Sequence, residues 1–385
     1  MRHAVVVVGL GAMGAATLCH LARRGKDVVG VDVHGVGNDR GSSWGQTRVI
    51  RKAYFEDPAY VPLLHRAYAL WAELAAEVGV PLQVRAGCLT FGPPDHPALL
   101  GVAQSVSTHR LPHEQLDAGA IARRFPAFVP DAVDVGVYEE DAGYLFVERC
   151  TRAHVDVAVA HGARVVVDAV VRVDVDDRAK DGGVRVALAG GEVIVADRVV
   201  VAAGGAVASD PVFAPFVARV PLHVTRQPQL WFQAPASSTS FATGALPCFV
   251  HFTGRGAFYG IPAVDGDELR HVKVCRHGGG ARTTTAALDR GVHDVDVDDV
   301  RAHLRAHLPG LDGPAARGHI CQYTVTPDEH FVVDHVDASL RVLLLSPCSG
   351  HGAKMASVVG EVAADLVTGV VPAVDVGLFG VSRFA

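Results

Sequence analysis

Lysine is scarce in this chain. Its 385 residues include only Lys26, Lys52, Lys180, Lys273 and Lys354, and arginine supplies the rest of the fixed positive charge. In so arginine-biased a sequence, a lysine that persists is a candidate for work that needs a compact, titratable ammonium. The net charge of −6 and the scatter of basic residues exclude nucleic acid as a main partner. No apolar run reaches membrane-spanning length, because the valine-rich stretches are short and broken by Asp, Arg or Gly. The first strand begins at residue 4, leaving no room for a signal peptide, and the end, Ser382-Arg383-Phe384-Ala385, carries no peroxisomal address. A cytoplasmic protein is expected. CxxC pairs are absent: Cys19, Cys88, Cys150, Cys248, Cys275, Cys321 and Cys348 are dispersed and read as reduced thiols. The twenty histidines show no HExxH and no paired metal spacing, so no metal is expected. Internal repeats and low-complexity blocks are also missing.

What is present starts at once. A strand, Ala4 to Val8, runs into Gly9-Leu10-Gly11-Ala12-Met13-Gly14; an alanine-rich helical stretch continues through Arg24, and a second strand, Val28 to Val31, ends on Asp32. This is a βαβ dinucleotide fingerprint. Gly9 allows the tight turn, and Gly11 lets backbone approach a pyrophosphate resting on the positive helix end. Gly14 permits close helix–strand packing, and Asp32 can hold ribose hydroxyls. The motif alone leaves FAD and NAD equally open.

Further along, Gly35 to Gly45 is too irregular for regular structure. Pro58 to Val78 is helical by period, Gln83 to Phe91 alternates like a strand, and Glu148 to His161 reads as a helix. Val184–Leu188 and Glu192–Val195 suggest a hairpin about Gly190-Gly191. Arg198 to Ala203 reads as a separate buried strand ending in a glycine turn at Gly204. Pro221 to Gln322 is rich in β-like runs and suits a sheet-based substrate domain. The Asp/Val-rich stretches at 171–177 and 292–300 read as a strand edge and a solvated turn. Leu340–Leu345 is a buried strand, and Gly350-His351-Gly352 opens a helix through Leu366. The order implies an α/β protein whose nucleotide domain is assembled from separated segments.

Four constellations could carry chemistry. Arg48 and Arg51 lie three apart, and arginine's fork suits a substrate carboxylate; read alone, both are surface residues. Lys273 alternates with Val272 and Val274, so its side chain is either solvated or turned inward for a task. Lys354 falls in the first turn of a helix, where a cation opposes the dipole and hints at recruitment for an anion. Cys321, read alone, is a buried thiol.

Together these segments resemble the monomeric sarcosine oxidase and N-methyltryptophan oxidase family of flavoproteins, over nearly the whole chain. The resemblance rests on Gly45-Gln46-Thr47-Arg48-Val49-Ile50-Arg51 with Tyr54, on Arg317-Gly318 with Cys321, Tyr323-Thr324 and Asp328-Glu329-His330-Phe331, and on Ser349-Gly350-His351-Gly352 with Lys354. It implies FAD rather than NAD, tethered through a thioether to Cys321. It also implies a Rossmann-like FAD-binding domain of the glutathione-reductase type, from residues 1–83, 145–218 and 322–385. A second domain, a mixed sheet plus helices from 84–144 and 219–321, would hold the substrate. Cofactor contacts are implied at Gly9, Gly11, Met13, Gly14, Asp32, Gly41, Ser42 and Arg48, then at Val171, Gly204, Cys321 and Tyr323, and at Gly350, His351, Gly352 and Lys354. Arg48 would lie beside the reactive flavin edge, Arg51 and Lys354 would clamp the substrate carboxylate, Lys273 would activate dioxygen, and His277 would stand nearby.

The implied reaction is oxidation of a secondary α-amino acid, N-methyl or cyclic, to an imine with release of hydrogen peroxide. The partners would be a small amino acid and O2, for a monomer without nucleic acid or membrane. A flavin dehydrogenase passing electrons to a protein acceptor is the alternative. Trp44 stands where that family carries histidine, Phe258 precedes Tyr259 where it carries two tyrosines, and Ala353 and Arg276 replace aromatics. Trp44 and Tyr259 are therefore expected to border the substrate, which should be larger than sarcosine.

Overall fold

The opening strand, Arg2–Val8, is apolar on both faces because both faces are covered. Val5 and Val7 pack into a helical layer, whereas Val6 and Val8 pack into a second cluster with Val184, Val186 and Phe213. In this computed structural model, which describes residues 2–176, 182–346 and 349–385, the strand lies at the centre of an eight-stranded sheet. Its parallel neighbours are Val28–Asp32 and Val193–Val201; Arg164–Val167 extends one side and Val342–Ser346 the other. The helices Ala12–Arg23, Val147–Ala160 and Ala356–Thr368 cover one face. This is a sheet with a parallel centre and a helical layer, the α/β class expected. Cys348 and Lys180 lie outside the described residues, as does the end of the 171–177 stretch.

A nine-stranded sheet forms the second layer system. Its order is Arg282–Thr283, His223–Gln233, His271–His277, Gly256–Ile261, Cys248–Thr253, Cys88–Gly92, Val135–Glu139 and Glu114–Asp117, with Arg317–Val325 also paired to His223–Gln233. A small sheet of Thr47–Ile50, Gly143–Phe146 and Gln83–Arg85 completes the set.

Four expectations need correction. Residues 83–91 are two strands in different sheets, broken where Gly87 takes a φ of 69°. Conversely, 192–195 and 198–201 belong to one strand, Val193–Val201, which pairs with the hairpin partner Val184–Leu188 in its first half and Val342–Ser346 in its second. The segment from Ala353 begins as a 3₁₀ turn, Ala353–Met355, before the helix Ala356–Thr368. Most consequential, 292–300 is not a solvated turn: it opens the helix Asp294–His307. His293 and Asp296 form a reciprocal capping box there, Asp294 and Asp296 complement the helix dipole, and Val300 and Leu304 bury one face. Asp/Val alternation hid that pattern.

Candidate active site

At the nucleotide end, the glycines are required by contact. A Cβ on Gly14 would stand 1.8 Å from the Gly9 carbonyl oxygen, and one on Gly9 (φ 92°) 2.5 Å from that of Ala202. The helix Ala12–Arg23 therefore starts directly on the sheet. A Cβ on Gly11 would meet only the Ser43 hydroxyl, at 3.2 Å. The first turn has no acidic residue. Within that turn Ala12 N–H donates to Ser43 Oγ (2.9 Å), and the Met13 carbonyl accepts from Thr17. Asp32 accepts Leu10 N–H (2.8 Å) on one oxygen and His34 N–H (2.9 Å) on the other, which orients its carboxylate at the strand end. Gly204 (φ 56°) follows the strand that touches Gly9. Gly41 has open space beside it, and the neighbouring Ser42 hydroxyl donates to the Gln322 carbonyl (2.7 Å). Val171 is exposed, at an irregularity in the edge strand Val170–Val175.

A second group is built around one carboxylate. Glu148, in the first turn of its helix, accepts the backbone N–H groups of Gly45 and Gln46 (2.8 Å each) and holds them at φ values of 105° and 67°. That turn aims carbonyls inward. Lys273 Nζ donates to the Gly45 and Thr47 carbonyls (2.9 and 3.1 Å) and lies 4.9 Å over the Trp231 ring. Arg48 donates to the Ser42, Trp44 and Thr47 carbonyls, and its Nη2 lies 3.8 Å from Cys321 Sγ. Lys273 thus points inward, opposite Val272 and Val274 in the apolar core. Burial, reinforced by Arg48, pulls its ammonium down to about 7.

The third group surrounds a partly open cavity. Arg51 is buried, donates to the Ala53 carbonyl, and pairs with Glu56 (3.1 Å). Lys354, also buried, donates to the His351 carbonyl (2.6 Å) and to Tyr54 Oη (3.4 Å). Burial alone would raise the Glu56 carboxyl, but Arg51, with His351, Lys354 and His277, outweighs it and holds the group at about 2. Burial pulls both His277 and His351 down to about 4, against the attraction of Glu56. His351 is fixed between Tyr54 Oη (2.6 Å) and the Glu329 carbonyl (2.9 Å). His277 Nδ1 lies 3.4 Å from Tyr323 Oη, and a Cβ on Gly350 would strike the Tyr323 ring at 2.3 Å. Tyr259, Tyr323 and Gly350 line the cavity, and Gly352 is buried just before the turn that carries Lys354.

Trp44 is not brought into that lining: its ring packs edge-on toward His319, 6.3 Å away. Glu56, Gln229 and Glu148 went unnoticed in the sequence. Glu56 follows Arg51 by five residues, a signal that reads as a surface ion pair until its burial is known.

A second void, lined by Ala12, Arg48 and Ala353 among others, shares Arg48 and Ala353 with the large cavity. A glycine cradle with an anion-ready helix end, and a separate cavity of buried cations reached from Arg48, fit an extended dinucleotide whose reactive ring meets the cavity. Fold and site together define a dinucleotide-dependent oxidoreductase. Residues 4–366 match the family described as FAD dependent oxidoreductase, and the chain belongs to that family. It is 36% identical to monomeric sarcosine oxidase of Streptomyces avermitilis over 99% of this chain and 97% of that one. It is 35% identical to N-methyl-L-tryptophan oxidase of Citrobacter koseri over the full length of both. Among solved structures, NikD, an unusual amino acid oxidase essential for nikkomycin biosynthesis, superposes with a TM-score of 0.85 at 23% identity, covering 98% of this chain and 97% of that one. Glycine oxidase of Geobacillus kaustophilus gives 0.80 at 19% identity over 99% of each chain, a likeness of fold.

Proposed function

We propose that this protein oxidises a secondary α-amino acid, N-methyl or cyclic, to its imine and returns the electrons to O2 as hydrogen peroxide. One observation carries the reading: two buried cations, Arg51 and Lys354, flank a cavity in which a carboxylate, that of Glu56, is already held fully ionised. Glu56 neutralises one of these cations, so the pair leaves one net positive charge for a substrate carboxylate, and the sarcosine and N-methyltryptophan oxidases are the chain's relatives.

The flavin supplies the two-electron acceptor. The residues' tasks are positional and electrostatic. Gly9, Gly11 and Gly14 would seat the pyrophosphate, with Asp32 on the ribose and Met13, Gly41, Ser42, Val171 and Gly204 along the dinucleotide. Tyr323, Gly350, His351 and Gly352 would border its ring. Arg51 and Lys354 would bind the substrate carboxylate and so fix the α-carbon, a gain in orientation rather than in bond-making. Tyr259 and His277 would wall the substrate, and Trp44 would act from further out. Arg48, beside Cys321, would keep a positive field near the tether, and Lys273 would supply the fixed cation that favours electron transfer to oxygen. The thioether at Cys321, the monomeric state, the cytoplasmic location and the division into segments 1–83, 145–218 and 322–385 against 84–144 and 219–321 belong to the same proposal. No helix among the described residues is long and apolar enough to cross a membrane.

A peroxide-coupled screen of sarcosine, N-methyl amino acids, proline, pipecolate and primary amino acids tests the activity. Peroxide from a secondary amino acid is expected. Rapid reduction by such a substrate without peroxide would move the assignment to a dehydrogenase. Acid precipitation of the wild type should leave the yellow colour in the pellet, and Cys321→Ser should release it; colour in the wild-type supernatant would refute the tether.

A further inference from the structure

The hairpin that walls the cavity has a second face. Cys248–Thr253 pairs with Gly256–Ile261 so that Val250 stands opposite Tyr259 and His251 opposite Phe258. Val250 and Tyr259 line the cavity. Side chains alternate along a strand, so His251 and Phe258 point to the other side. Against that side packs the helix Asp294–His307, whose His303 and His307, four residues apart, share one face.

The three imidazoles meet there. Ring centroids are 5.2 Å apart for His251 and His303, 4.6 Å for His251 and His307, and 5.0 Å for His303 and His307. One nitrogen from each lies within 4.8 Å of the others. Asp134 flanks His251, with Oδ2 3.3 Å from its Nε2 while also accepting the Asp131 N–H (2.9 Å). His251, His303 and Asp134 are all but completely buried, yet both ring nitrogens of His251, His303 Nε2 and Asp134 Oδ1 lack a hydrogen-bond partner. Phe91 stacks on His251 at 3.9 Å and Phe258 on His303 at 4.1 Å, so the orphaned atoms have little but each other to turn to. Buried polar atoms without partners are uncommon and costly, and four in one cluster call for an absent partner.

We propose that His251, His303 and His307 form a zinc site that clamps the helix Asp294–His307 to the back of the cavity wall, with Asp134 steadying His251 from outside the ligand set. Three neutral imidazoles suit a borderline ion that favours tetrahedral geometry, with water in the fourth position. His307 already has the supporting contact such a ligand needs: its Nδ1 faces the Val129 carbonyl at 3.0 Å, leaving Nε2 for the metal. Nitrogens of a tetrahedral zinc ion stand about 3.4 Å apart. The rings must therefore close slightly from the observed 4.8 Å limit, and His307, half-buried at its helix end, is free to do so. The spacing His303-x₃-His307 corrects the reading that no paired metal spacing exists.

The test is elemental analysis of tag-free holoenzyme from zinc-supplemented cells, with X-ray absorption at the zinc edge. About one zinc per chain is expected, with nitrogen and oxygen neighbours at about 2.0–2.1 Å and no sulfur. A chelator should remove the metal and lower Tm, and added Zn²⁺ should restore both. His307→Gln, near the surface, should weaken zinc binding by more than about a hundredfold, beyond the loss typical of an outer-shell change. His303→Gln should abolish binding. Substoichiometric zinc below about a tenth per chain, with no uptake by chelated protein titrated with Zn²⁺, would overturn the proposal. So would sulfur ligation, or full zinc content in His307→Gln. If His303→Gln fails to fold, the wild-type measurements and His307→Gln still decide.

Discussion

The nucleotide turn and the charged cavity solve opposite problems. The turn is made of backbone: Gly9, Gly11 and Gly14 matter for the side chains they lack, within six consecutive residues. The cavity is made of side chains, and its charges come from Arg48, Arg51, Glu56 and Lys354, spread over three hundred residues, with Lys273 buried beside Arg48's loop. In the turn, geometry is enforced by collision. In the cavity it is enforced by charge, with Glu148 pinning one loop and Glu139 another, through the Lys52 and Ala53 N–H groups (2.9 Å each). Errors in the turn should therefore fail as a unit, whereas errors in the cavity should separate into distinct defects.

The harshest break of that contrast is Gly14→Ala. Its Cβ has no room against the Gly9 carbonyl, so the helix must leave the sheet at a cost above about 3 kcal/mol. Protein that is unstable and colourless is expected. Gly11→Ala sharpens the point: the residue has an ordinary φ of −67° and faces only the Ser43 hydroxyl. It should fold with near-normal circular dichroism yet hold no flavin. Full flavin content in that variant would mean that the cofactor does not approach Gly11.

Cavity variants should divide the cycle. Lys273→Met should slow air reoxidation of reduced enzyme by about 10²–10³-fold, the usual scale for one preorganised electrostatic group, while sparing anaerobic reduction by substrate. Unchanged reoxidation in stopped flow would remove the oxygen role. Arg51→Met should instead act on binding, lowering kcat/KM roughly 10- to 100-fold through KM. It also strands the Glu56 carboxylate, and breaking a buried pair of this kind costs about 3–5 kcal/mol. A lower Tm partly rescued by Arg51→Lys is expected; an unchanged Tm would mean that Lys354 and the histidines already suffice for Glu56.

How legible each region was follows from the same contrast. The fingerprint could be read because Gly9 to Asp32 are contiguous and each residue type has one mechanical use. Arg51, Lys273 and Lys354 could be singled out through a resemblance, but nothing local told inward from outward. Lys273 on an alternating strand fits either face until Gly45 and Thr47 are seen to accept its protons. Glu56 was missed because a carboxylate five residues from an arginine looks solvated. The helix Asp294–His307 was missed because its capping aspartates mimic a turn. Trp44, singled out by its place in the family pattern, turns its ring toward His319 and does not line the cavity.

The finest test concerns the proton on Lys273. Burial, then Arg48, holds it at about 7, far below an ordinary lysine. The ammonium is therefore cationic below about pH 7 and neutral above it. If the cation serves oxygen, wild-type reoxidation should fall as pH rises from 6 to 8, by about tenfold at most for one group titrating near 7. Lys273→Met should lack that fall. Stability runs the other way. Between about 7 and the ordinary lysine value the unfolded chain binds a proton that the folded protein does not, so stability should rise with pH across that window. The lysine-to-methionine change should remove this slope too. A wild-type reoxidation rate that stays flat or climbs between pH 6 and 8 would separate Lys273's charge from the oxygen step, leaving its bonds to the Gly45 and Thr47 carbonyls as its only task.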